Sequence, residues 1–174
     1  MKKLLLVSML VIVAGSLAIG QNAYRKGNKL VHGGLGFGLA GIYGDASLPP
    51  ITVGYEHGLE EKISLGGIVG FAGSSQDFIG GEWSYTYILI GARGAYHFLE
   101  NNSQWDAYGG LVLGYNIVST SWDGPGVQFG SASGSYLLWG LYGGGRYYFN
   151  PRWAVYGEIG YGAGILAIGV AHKL

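Results

Sequence analysis

Apolar side chains alternate with small or polar ones along most of this chain, in about eight stretches of roughly ten residues, the signature of strands that cross a membrane. The stretch from Ile88 to Phe98 shows the rule: Ile88, Ile90, Ala92, Gly94, Tyr96 and Phe98 fall on one side, and Leu89, Gly91, Arg93, Ala95 and His97 on the other. A charge in mid-strand must face away from lipid, so the odd-numbered residues here are predicted to look into a barrel. The opposite faces read Leu35, Phe37 and Leu39 on the first strand, Leu111, Leu113, Tyr115 and Ile117 on the fifth, and Leu166, Ile168, Val170 and Leu174 on the eighth. A soluble sandwich or a ligand-carrying soluble barrel would be polar there. A continuous apolar exterior calls for lipid.

The predicted strands run over 29–41, 51–59, 63–73, 83–98, 105–118, 135–149, 153–161 and 165–174. The Pro49-Pro50 pair predicts a break before the second strand, because proline removes a ladder donor. Connections at 42–50, 74–82 and 119–134 read as long, and those at 60–62, 99–104 and 150–152 as shorter, with a brief reversal at 162–164. Bacterial barrels place short turns in the periplasm and long loops outside. An even strand count then puts both termini on the periplasmic side. Tyr55, Tyr96, Phe98, Trp105, Tyr147, Phe149 and Trp153 sit beside the short turns, and Trp83, Tyr85, Trp122 and Tyr161 beside the long loops, a pattern that predicts two interfacial girdles.

Composition agrees with this reading. Among 174 residues only 11% are charged, while 35 Gly, 14 Tyr and 5 Trp suit curved strands and membrane interfaces. Basic and acidic residues are equal at 10 each, so no net field recruits nucleic acid. The absence of cysteine excludes a disulfide framework and thiolate metal sites. The basic start Met1-Lys2-Lys3, the apolar run Leu4 to Ile19 and the small residues Ala18 and Gly20 predict a cleaved export signal over residues 1–20. A short periplasmic segment, 21–28, and the barrel, 29–174, follow.

Glu56, Arg93, Arg146 and Glu158 all fall on inward parity, and an eight-stranded barrel is barely wide enough for its own side chains. They are therefore expected to form a lumenal ion-pair network, structural in role or else gating a narrow path. Inward Gly34, Gly36, Gly38, Gly140 and Gly144 leave room for inward Tyr108, Tyr136, Tyr142 and Tyr148. Asp45, Asp77, Glu82 and Asp123 are expected to form an acidic rim on extracellular loops, a solvated surface that resists aggregation or else a surface for divalent cations or a basic partner. Barrels of this size include lipid enzymes, which need a histidine base with a serine near the outer leaflet. His32, His57, His97 and His172 all fall at the short-turn ends of their strands, away from the loop serines, so no catalytic residues are assigned. No metal or cofactor site is expected. The match Gly36-Phe37-Gly38-Leu39-Ala40-Gly41 to a dinucleotide fingerprint lacks the helix that must open at it.

Strand number, patterning and loop asymmetry over residues 29–174 resemble the small eight-stranded outer-membrane barrels, the OmpX and OmpA transmembrane-domain type. This resemblance implies an all-β, antiparallel, up-and-down barrel in the outer membrane of a Gram-negative bacterium. It further implies a monomer in contact with membrane lipid and lipopolysaccharide, inserted by the barrel-insertion machinery. It implies little about activity, since this fold hosts adhesins, structural barrels, small-molecule channels and lipid enzymes. The loops are expected to carry a structural or adhesion-like role toward a surface partner the sequence does not identify, with a narrow pore for small or apolar solutes as the alternative and a lipid A-modifying enzyme after it. Such barrels usually end on an aromatic residue, whereas this chain ends Ala171-His172-Lys173-Leu174.

Overall fold

The computed structural model describes residues 24–37, 45–78, 80–99, 104–124, 132–160 and 165–174. Eight antiparallel strands, β1 (Lys29–Phe37), β2 (Asp45–Gly58), β3 (Ile63–Phe78), β4 (Gly81–His97), β5 (Trp105–Asp123), β6 (Ala132–Tyr148), β7 (Trp153–Gly160) and β8 (Leu166–Lys173), pair in chain order. β8 returns to β1, from Leu30 opposite Lys173 to Phe37 opposite Leu166, so the sheet closes. Closure satisfies the backbone without leaving a sheet edge in lipid.

The alternation predicts the faces correctly. On β4, Ile88, Ile90 and Tyr96 are exposed while Leu89, Arg93, Ala95 and His97 are buried. Lipid-facing rows can be followed from strand to strand: Phe71, Ile88 and Ile117 stand opposite one another, and below them Val69, Ile90, Tyr115 and Leu137. Above Phe71 the outward rows turn polar, first Gly73, Thr86, Ser119 and Ser133, then Ser75, Ser84 and Ser121. The apolar run Ile63 to Phe71 rises about 27 Å along its strand; tilted by about 40° it spans roughly 21 Å, close to the ~25 Å band of outer-membrane barrels. The polar upper ends of β3 to β6 therefore stand clear of the hydrocarbon.

Three expectations are corrected. β2 runs through Pro49-Pro50 rather than starting after it; its register against β3 shifts between Ala46 and Leu48 and again between Leu48 and Ile51. A bulge tolerates the missing donors, which is where proline survives within a sheet. The connection expected over 74–82 is mostly strand, because β3 and β4 stay paired up to Phe78 opposite Gly81. Serine and threonine there suit a strand whose outer face meets water. Trp83, Tyr85 and Trp122 lie on the inward parity of β4 and β5, with the two indoles 5.2 Å apart, so they do not form an outer girdle.

The seven aromatics at the short-turn end face outward or lie at the strand ends, as a girdle requires. Trp105 packs on Tyr147 at 4.8 Å and Tyr96 on Phe98 at 5.4 Å, while Tyr55 and Trp153 are also exposed and Phe149 is half-buried beyond β6. Residues 1–20, Gly38, Leu39 and Tyr161 lie outside the described residues.

Candidate functional site: a lumenal charge network

All four predicted lumenal charges face inward, but they pair across the barrel and not across the nearest hairpin. Arg146 and Glu158 sit one inward step apart on β6 and β7, with Gly144 opposite Glu158 and Arg146 opposite Tyr156. Arg146 turns instead to β2, where Nη1 and Nη2 donate to the two Glu56 oxygens at 3.1 and 2.5 Å. Nη1 also donates to Asp106 Oδ2 on β5 at 3.3 Å. Glu158 accepts from Arg93 Nη2 on β4 at 2.8 Å and from the Tyr108 hydroxyl at 2.7 Å.

Tyr108 joins the two pairs. Its ring lies under the Arg146 guanidinium at 4.2 Å while its hydroxyl holds Glu158, and Arg93 lies over the Tyr142 ring at 3.9 Å. Ring faces attract cations, so the aromatic side chains serve as neutral spacers between the ion pairs. Gly144 leaves the space this packing occupies: a Cβ there would stand 2.6 Å from the Gly157 carbonyl and 3.1 Å from the Tyr108 hydroxyl. The space beside Gly34 is filled by Tyr156 rather than by one of the four predicted tyrosines.

Asp106, His97 and Ser64 complete the network, and the sequence reading missed their roles. Asp106 Oδ1 meets His97 Nδ1 at 2.7 Å, and His97 Nε2 meets Ser64 Oγ at 3.0 Å. Parity and register carried a signal: Asp106 stands opposite Arg146 in the β5–β6 ladder. The connectivity is that of a Ser-His-Asp relay. Two features set it apart from a nucleophile. Glu56 Oε1 also lies 3.5 Å from His97 Nε2, so a ring with a proton on each nitrogen donates to acceptors on both sides. Ser64 is fully buried, and the gap beside it, lined by His32, Glu56, Arg93 and Tyr142, leaves no room for a water molecule.

Above the network the lumen turns apolar. Ile68, Leu89, Val112 and Leu138, from β3 to β6, form one buried cluster there, whereas Leu30, Tyr148, Ala154, Tyr156 and Ala171 form another at the short-turn end, level with Glu56 and Arg146 and below them. Water inside would be costly against these surfaces.

The acidic residues occupy strand ends rather than loops. Asp77, Glu82 and Asp123 stand directly opposite one another on β3, β4 and β5, all exposed, and their parity points outward from the barrel. Asp45 opens β2 opposite Ser75. Among the described residues no group of histidine and acidic side chains is arranged to hold a metal ion.

No protein-family model matches the sequence, and no curated protein matches it. Solved structures do match in fold. The N-terminal β-barrel domain of Pseudomonas aeruginosa OprF superposes with a TM-score of 0.57 at 13% identity, over 89% of this chain and 99% of that one. Neisserial surface protein A gives 0.53 at 16% identity, over 84% and 94%. Ail, the attachment invasion locus protein of Yersinia pestis, in complex with the heparin analogue sucrose octasulfate, gives 0.50 at 12% identity, over 86% and 96%. The fold is that of the small eight-stranded outer-membrane barrels.

Proposed function

We propose that this chain is a monomeric, non-enzymatic protein of a Gram-negative outer membrane, closed to solutes, whose function lies on the polar upper ends of β3 to β6. The observation that carries this reading is the lumen itself: a continuous network from Glu56 to Tyr142 fills one part of it, and above that buried Ile68, Leu89, Val112 and Leu138 pack beside the Asn116–Tyr136 hydrogen bond. The runner-up, a narrow pore, would need those paired charges to separate and that apolar cluster to wet. In this reading the export signal is removed before Gln21, the insertion machinery places the barrel, and the short turns and both termini face the periplasm.

The surface role is structural or adhesion-like, toward lipopolysaccharide or a partner molecule. The row Asp77, Glu82 and Asp123 does not by itself enclose a metal ion, but its negative field attracts divalent cations shared with lipid phosphates, or a basic partner, and repels polyanions. The heparin analogue bound to Ail therefore does not transfer to this chain as a ligand class.

The chain has no cysteine, so single cysteines report position cleanly. Ser121→Cys, on the polar outer face, should react with a membrane-impermeant thiol reagent on intact cells. Lys26→Cys, at the short-turn end, should react only after the outer membrane is opened. The reverse pattern would overturn the topology, and labelling of neither in folded protein would overturn the surface assignment.

A further inference from the structure

Residues 24–28 fold across the short-turn end of the barrel. Asn28 N donates to Arg25 O at 3.1 Å, closing a turn in which Gly27 takes φ +82°. Gly27 N donates to Gly58 O at 2.7 Å, and Gly58 N to Asn28 O at 2.8 Å, which ties the turn to the end of β2. Gly58 is what admits it, since a Cβ there would lie 2.5 Å from the Arg25 carbonyl. Lys26 Nζ holds the outer side through Glu60 at 2.8 Å.

The turn delivers Tyr24 into the barrel end. Its ring lies parallel to the His97 imidazole, 3.5 Å between centroids with 8° between planes, and it is only 5% exposed. Its one hydroxyl proton is shared between the carbonyls of Glu60 and Ile63, at 2.9 and 2.5 Å from the oxygen, bridging the β2–β3 turn. Burial, with Glu56 and Asp106 close by, pushes the phenol well above its ordinary range, so the hydroxyl keeps its proton and remains a donor.

We propose that residues 24–28 are a built-in plug, with Tyr24 as the stopper that bars water and small solutes from the His97, Ser64, Glu56, Asp106 and Arg146 cluster. On its other side the cluster is packed by the Arg93–Glu158–Tyr108 contacts and, on the β3 to β6 wall, by buried Ile68, Leu89, Val112 and Leu138, which leaves the Tyr24 end as its entrance. The ion pairs gain from this exclusion, because charge interactions strengthen as water is removed. Withdrawal of the N-terminal segment would convert a sealed network into a hydrated chamber open to the short-turn side.

The test uses the folded full barrel in detergent, with folding confirmed by heat-dependent gel mobility. Ser64→Cys is reacted with iodoacetamide in the presence of native Tyr24, Tyr24→Phe or Tyr24→Ala. With native Tyr24 the thiol should be protected, and Tyr24→Phe, which keeps the stack, should stay near that rate. Tyr24→Ala should raise the rate about thirtyfold, the scale set by losing an aromatic stack and a hydroxyl hydrogen bond. If Ser64→Cys does not fold, carbethoxylation of His97 in chains retaining Ser64, read by mass spectrometry, makes the same comparison. If Tyr24→Ala does not fold, Tyr24→Leu replaces it. A folded Tyr24→Ala or Tyr24→Leu barrel in which the thiol of Ser64→Cys, or His97, reacts no faster than with native Tyr24 would overturn the plug.

Discussion

Arg146 and Glu56 meet across the lumen, 90 residues apart in sequence, through two hydrogen bonds of 3.1 and 2.5 Å. Both belong to strands that never pair with each other, since β2 is flanked by β1 and β3, and β6 by β5 and β7. Their contact exists only once the sheet has closed. The pair is therefore a reporter of closure as well as a buried charge.

Removing one partner should cost far more than removing both. Arg146→Met leaves Glu56 and Asp106 with only His97 between them, and breaking a buried pair in this way costs about 3–5 kcal/mol. The double change Glu56→Gln with Arg146→Met should cost clearly less than the sum of the two single changes. Urea unfolding from lipid vesicles, followed by tryptophan fluorescence, measures all three; strict additivity would mean that the pair does not interact in the folded barrel.

Arginine substitutions on the outer face should map the membrane. At Leu113, in the middle of the apolar rows, arginine should destabilise by about 2–4 kcal/mol, and at Ser121, on the polar extension, by about 0–1 kcal/mol. Equal costs at the two positions, from the same unfolding measurement, would contradict the boundary drawn at Phe71, Ile88 and Ile117.

Two glycines of equal sequence weight should behave oppositely. A Cβ at Gly110 would lie 2.0 Å from the Gly94 carbonyl, whereas one at Gly134 would meet nothing within 4 Å. Gly110→Ala forces the β4–β5 ladder apart and should cost about 1–3 kcal/mol or more. Gly134→Ala should be neutral or slightly stabilising, because alanine reduces the freedom of the unfolded chain. Heat-dependent gel mobility and unfolding midpoints separate the two outcomes.

The carboxylate row should matter to cations rather than to folding. Replacing Asp77, Glu82 and Asp123 together by Asn, Gln and Asn should leave unfolding midpoints nearly unchanged, since exposed charges contribute little. It should weaken magnesium- or calcium-dependent association with lipopolysaccharide, measured by cosedimentation. Association that persists at the parent level after the exchange would remove the cation-bridging role.

Strand faces were legible because the requirement for them is local: each residue either meets lipid or does not, and period two follows. Glu56, Arg93, Arg146 and Glu158 were placed in the lumen by that parity alone. Their partners were not legible, because pairing across a barrel depends on shear and tilt, which no single strand encodes. Pro49-Pro50 misled for a related reason, since a bulge absorbs what a regular ladder cannot. Trp83 and Trp122 misled because aromatic content near a strand end says nothing of face; counting parity back from Arg93 and Tyr108 places both inward. Tyr24 carried no periodic signal at all, and only the closed end of the barrel shows what its ring stacks on.

The most direct measurement of the closed lumen is conductance across a planar bilayer holding residues 21–174, refolded and verified by heat-dependent gel mobility. A folded barrel that passes no discrete current, with Arg93 and Arg146 intact, is the predicted result. Discrete steps whose size changes on substitution of Arg93 or Arg146 would contradict it, and would make the charge network a gate instead of a seal.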